Sequence, residues 1–280
     1  MLLQERGVEA QQNVDFVVNT FERTYREVLA PGFIEGLVAG HRYPFARRVA
    51  LINNVEDRAH AGKMAQSLRE AGGITEFHFV SDLLESTLRA AGLARKDIEP
   101  NVHYTDCSLV AMFLPGSDYV VYSDADVRLL QAYDWITPSL ALMKTDARIA
   151  AANAQWPQPT LAAEAREYAG EFGIGYGFSD QLYLVRRSEF ARPIYQFRAP
   201  ISLRYPMAER GRIFEQMVDS YMRVKRRMRA TCTSVSYEHR GEEAASHPRL
   251  TGRTRLGKLR NQLILRSIRL LPGRHPSYHI

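Results

Sequence analysis

The chain has 280 residues, 45% hydrophobic and 24% charged, which is enough to bury one large core and excludes wholesale disorder. Two cysteines, Cys107 and Cys232, are too few for a disulfide framework or a zinc cluster, and a reducing, cytoplasmic setting is the expectation. The net charge of +6 is unevenly placed: eight basic residues and no acid lie from Arg249 onward, against 29 basic and 31 acidic before it, so a nucleic-acid-binding body is excluded on charge grounds.

The N-terminal stretch MLLQERGVEAQQ carries charge at once, so no secretory signal is expected, and no run reaches the roughly 18 apolar residues of a membrane span. Val14–Val18 is a buried strand ending in Asn19-Thr20. Glu22 to Leu29 reads as a helix stopped by Pro31-Gly32. Arg48–Ile52 is a second strand, ended by Asn53-Asn54, and Ala59–Ala71 a helix stopped at Gly72-Gly73. Thr75–Val80 is a third strand, and Leu83–Ala91 and Asp106–Leu114 are helices. Asp118–Ser123 is a fourth strand, Pro138–Thr145 a helix and Ile149–Asn153 a further strand.

Strands alternating with helices predict an α/β sheet with helices on its faces, and ligands in such folds gather at the carboxyl ends of the strands. Asn19, Asn53-Asn54 and Asp124 all stand at predicted strand ends, so one rim is expected to hold them. Beyond Trp156 the pattern changes. Gly173–Gly177 is expected as a loop, Gln181–Val185 as a strand, Ile213–Arg227 as a helix and Thr231–Tyr237 as a strand, with a polar loop over 241–254.

The sharpest chemical signal is Asp118-Tyr-Val-Val-Tyr-Ser-Asp-Ala-Asp126. An apolar strand there delivers Asp124 and Asp126, whose oxygens suit Mg²⁺ or Mn²⁺ together with substrate phosphate. In this order of elements the chain resembles the GT-A glycosyltransferases, especially the inverting, family 2-like enzymes, over roughly residues 14–240. The resemblance implies a Rossmann-like, mostly parallel sheet flanked by helices. Its donor half is expected at about 14–155, its acceptor half at about 156–245, and a basic tail at 246–280. It implies a nucleotide-sugar donor and a saccharide or lipid-linked acceptor, with no nucleic-acid partner.

In that family's pattern, Val14–Arg23 is similar to the opening strand and nucleotide loop, placing Asn19, Thr20, Glu22 and Arg23 on the nucleotide. Leu51–Asp57 is similar to the second strand, with Asn53-Asn54 where an acidic pair is usual and Asp57 as a substitute. Asp106, Asp124 and Ala125 complete the expected donor contacts, although helix capping accounts equally for Asp106. Asp124, Asp126 and His239 are the expected metal set; a surface role beside Arg240 is the alternative for His239. Glu215 is the expected general base, with Asp180 or Asp219 as alternatives, since Gln216 replaces a carboxylate common in relatives. Arg186-Arg187 reads as a solvated pair or as a phosphate contact.

From Leu256 to Leu271 six aliphatic residues recur at helical spacing between Lys258, Arg260, Arg266 and Arg269. Such a basic amphipathic helix either packs on the body or lies on an anionic membrane, which would make the protein peripheral on the inner face of the plasma membrane. A sugar-1-phosphate nucleotidyltransferase and a non-catalytic, membrane-associated scaffold are the competing functions. The absence of glycine from Val14–Arg23 counts against the first.

Overall fold

In the computed structural model, residues 12–156, 165–240, 252–269 and 275–278 are described. The apolar run VDFVVNT forms β1 (Val14–Thr20), whose alternation sends Phe16 and Val18 to one face and Val17 to the other. Both faces are therefore covered. Proline and glycine at 31 and 32 divide the next segment into α1 (Tyr25–Val28) and α2 (Phe33–Gly40), with Gly32 at φ +88° where the second helix starts. The single helix expected over Glu22 to Leu29 is thus one turn, and α2 is an additional element that the expected pattern does not contain.

The parallel unit continues through β2 (Arg47–Ile52), α3 (Arg58–Glu70), β3 (Glu76–Phe79) and α4 (Val80–Ala90). After α5 (Arg95–Ile98) and α6 (Asp106–Phe113) comes β4 (Tyr119–Ser123), buried throughout. Parallel pairing of β1 with β2 and β4 sets Thr20 beside Ile52 and Val18 beside Ser123, so their carboxyl ends finish level.

The second half comprises β5 (Val127–Leu129), α7 (Ile136–Thr145), β6 (Ile149–Gln155), β7 (Ala165–Ala169) and β8 (Phe172–Gly175). Then come β9 (Leu182–Arg186), α8 (Arg187–Phe190), α9 (Phe214–Val224), β10 (Met228–His239) and α10 (Gly252–Arg269). The sheet runs β3-β2-β1-β4-β9-β6-β10-β8-β7, with β5 pairing β10. It is parallel from β3 to β4; β9 then joins antiparallel to both β4 and β6, and mixed pairing continues to the edge. The α/β sheet flanked by helices that the resemblance implies is present, its parallel character concentrated in β1 to β4.

The loop expected at Gly173–Gly177 is instead largely strand. Gly173 in β8 lies so close to β7 that an added Cβ would meet Ala165 Cβ at 3.3 Å, so the glycine serves strand packing. Arg187 is buried at the amino end of β4, with Nη1 donating to Asp15 at 2.9 Å, and Arg186 donates to the Tyr119 hydroxyl. Neither arginine reaches the carboxyl-end rim, which removes the phosphate reading. Residues 241–251 of the expected polar loop lie outside the described residues, as does Leu271; Gly252 already begins α10. Among the described residues no helix is long and apolar enough to cross a membrane.

Candidate active site

Because β1, β2 and β4 end level, the residues just beyond them share one rim, as the strand-end positions predict. Asn19 is its central clamp: Nδ2 donates to Asp124 Oδ1 at 2.7 Å, and Oδ1 accepts from the Ala125 N–H at 3.0 Å. One amide thus fixes both a side chain and a backbone group of the Asp-Ala-Asp turn, across 105 residues of chain. The Tyr122 hydroxyl also donates to Asp124 Oδ1, and its ring stacks on Tyr183 at 5.1 Å. Just before β9, the Gln181 carbonyl accepts the Asp124 N–H.

β5 then turns the chain against the end of β10, pairing Val127 with His239. This places His239 Nε2 3.2 Å from Asp126 Oδ2, while the Arg240 N–H donates to the Asp126 carbonyl. His239 is therefore part of the rim beside Asp126.

A cavity of about 570 Å³ opens over this rim. Asn19, Thr20, Arg23, Asn53, Asn54, Asp124, Ala125, Asp126, Asp180 and His239 line it, each of them an expected site residue. The size matches that of a small-molecule or cofactor site. One wall is not foreseen from the sequence pattern: His103, Tyr104 and Thr105 from the turn before α6, and Cys107 and Ser108 from its first turn. Tyr104, 42% exposed, is the aromatic residue of that wall.

Four expected residues are placed elsewhere. Glu22 accepts the Glu56 N–H at 2.8 Å, so it braces the loops after β1 and β2 against each other. Asp57 caps α3 by accepting the His60 N–H at 2.9 Å. Asp106, buried, accepts from Asn53 Nδ2 at 2.9 Å and from the Cys107 N–H, so it acts behind the wall by orienting Asn53. Glu215, half-buried on the first turn of α9, is not among the lining residues.

Burial, with smaller contributions from neighbouring carboxylates, sets the acidities around the cavity. Loss of solvent, followed by the charges of Asp180 and Asp126, pushes the Asp124 carboxyl well above the usual range. Burial pushes Asp180 up to about 6. Burial and then the charge of Asp180 push Glu215 well up. Asp219, the alternative base, is instead sequestered: it is fully buried and accepts from the Ser202 hydroxyl, from Arg204 Nη1 at 3.2 Å and from Arg223 Nε at 2.9 Å. An aspartate held by two guanidiniums is committed to structure, which excludes it as the base.

This is an α/β protein with an acidic crevice of small-molecule size at the carboxyl ends of its parallel strands. No family model and no curated protein matches the sequence. Solved structures align remotely. GalNAc-T7 with UDP, GalNAc and Mn²⁺ has a TM-score of 0.46 and 11% identity, over 82% of this chain and 44% of that chain. S. aureus TarS 1-349 gives 0.48 and 9%, over 95% and 68%. Glucosyl-3-phosphoglycerate synthase from Mycobacterium tuberculosis, in complex with Mn²⁺, UDP and phosphoglyceric acid, gives 0.44 and 13%, over 95% and 81%.

Proposed function

We propose that the chain is a GT-A-type glycosyltransferase that moves a sugar from a nucleotide-diphosphate donor to a saccharide or lipid-linked acceptor with inversion. The observation that carries this reading is the Asn19 clamp on Asp124 and Ala125, with Asp126 and His239 side by side on the same rim.

The residues present fit a divalent cation. Asp126 and His239 offer an oxygen and an imidazole nitrogen next to each other, and the burial and nearby carboxylates that push the Asp124 carboxyl up are what a cation would offset. Among the described residues no three His, Cys, Asp or Glu side chains form a ready-made cage. That suits Mg²⁺ or Mn²⁺ held partly by substrate phosphate and water. When bound, such an ion supplies charge compensation to the diphosphate leaving group.

The remaining steps belong to the chain. Asn19 holds the Asp-Ala-Asp turn in register, and Asn53 and Asn54, oriented by Asp106 and His103, meet the nucleoside. The acceptor hydroxyl attacks the anomeric carbon as the bond to the diphosphate oxygen breaks, and its proton passes to a carboxylate. Asp180 lines the cavity and Glu215 does not, so Asp180 takes the base role, with Glu215 as a neighbouring carboxyl that burial and the charge of Asp180 hold towards its neutral form.

A thermal-shift screen with UDP, GDP, TDP and CMP, with and without Mn²⁺, tests the reading. One nucleotide is expected to raise the melting temperature only when Mn²⁺ is present, by mass action, and the shift should vanish in Asp126→Ala. No shift with any of the four would refute it.

A further inference from the structure

The sequence pattern puts the aliphatic residues of the C-terminal helix on one stripe, but the structure divides them between two faces. Ile264, Leu265 and Ile268 pack on Ala199 and Ile201, and Asn261 beside them is buried. Gly257 approaches the body so closely that an added Cβ would lie 2.7 Å from the Glu209 carbonyl oxygen. These contacts fix the rotation of α10 about its own axis. Leu256, Leu259 and Leu263 are left pointing away from the body, 70%, 55% and 62% exposed. At about 100° per residue these three share one narrow face, with Arg260 along one edge and Arg255 and Arg266 along the other. All three arginines are exposed.

We propose that this outer face of α10 docks on an anionic lipid bilayer, with the three leucines entering the headgroup region and the flanking arginines meeting lipid phosphates. The charge favours that occupant. No Asp or Glu occurs from Arg249 to the end of the chain, so the face has no acidic partner of its own on this segment. A second copy meeting it helix to helix would set arginine against arginine, whereas a bilayer offers an apolar layer bounded by negative charge. The rigid seating of the inner face means that the helix need not leave the body to bind. Docking stands independently of the transferase reading, because it needs neither donor nor metal.

Co-sedimentation of the full chain with phosphatidylcholine vesicles, with and without phosphatidylglycerol, tests the proposal. Binding is expected with phosphatidylglycerol, to be weakened by salt, and to be absent with phosphatidylcholine alone. The triple variants Leu256→Gln/Leu259→Gln/Leu263→Gln and Arg255→Gln/Arg260→Gln/Arg266→Gln should each bind at least about tenfold more weakly. Their melting temperatures should match wild type, since the substituted side chains are exposed. Absence of binding to phosphatidylglycerol vesicles would overturn the proposal, as would equal binding by the variants. So would a dimer, seen by light scattering, that the leucine variant abolishes.

Discussion

Asn19 uses both ends of one amide, and neither half of that arrangement survives a change of chemistry. A carboxylate there would repel Asp124 and lose the bond that Nδ2 makes to it; an alanine would free the turn. Asn19→Ala is therefore expected to weaken Mn²⁺-dependent nucleotide binding about tenfold or more, at a stability cost of about 1–2 kcal/mol, measurable by calorimetric titration and urea melts. His41 is a second single-residue case. It is buried among Phe16, Phe45 and Trp135, and its Nδ1 accepts the Trp135 indole N–H at 2.9 Å. Burial lowers its pKa from 6.5 to about 3. Between those values the unfolded chain binds the extra proton, so the stabilising contribution is complete above pH 6.5 and is lost as pH falls towards 3. Stability should decline by up to about 1.4 kcal/mol per pH unit across that window. His41→Gln keeps an acceptor for Trp135 and removes the titration, so its melts should show a flatter acid limb; an unchanged limb would rule out this source.

Among the elements, α9 carries two carboxylates of opposite character one turn apart. Asp219 compensates the fully buried Arg223, whose Nη1 also donates to the Pro276 carbonyl, tying the 275–278 segment to the helix. Asp219→Ala leaves buried guanidinium charge without its carboxylate and should cost about 3–5 kcal/mol in urea melts. Glu215, whose carboxyl is held towards its neutral form, should tolerate Glu215→Gln with a change below about 1 kcal/mol. In kinetics the ranking is set by the cavity. Asp180→Asn should lower kcat by about 10²–10⁴-fold with little change in KM, and Glu215→Gln by less. A larger loss in Glu215→Gln would return the base role to that residue.

The short hairpin-like pairing of β5 with β10 is the element that brings His239 to Asp126, and it was not legible in the sequence. Three residues are too few for a period-2 pattern, and their pairing partner lies over a hundred residues away. β7 and β8 escaped for related reasons: Arg166, Glu167 and Tyr168 face solvent on an edge strand, and the glycines that allow close packing read as a loop. By contrast β1, β2 and β4 announce themselves as continuous apolar runs ended by Asn or Asp, and those end residues are the rim. The wall from His103 to Ser108 had no such signal. A turn and a helix start carry no periodicity that says which way their side chains face.

For the molecule as a whole, the decisive feature is one sheet that continues from the parallel strands β3 to β4 into the mixed strands through β9. The antiparallel pairing of β9 with β4 sets Asp180 and Gln181, just before β9, against the Asp-Ala-Asp turn that follows β4. The residues of the proposed site therefore meet on a single sheet, with α10 packed on the turn around Ile201. The most direct measurement is a crystal grown with Mn²⁺ and the nucleotide found in the thermal screen, with data collected at the manganese absorption edge. One anomalous peak is expected within coordinating distance of Asp126 and His239, bridging to the diphosphate. A bound nucleotide with no peak between those side chains, or a peak elsewhere, would contradict a metal-dependent transferase.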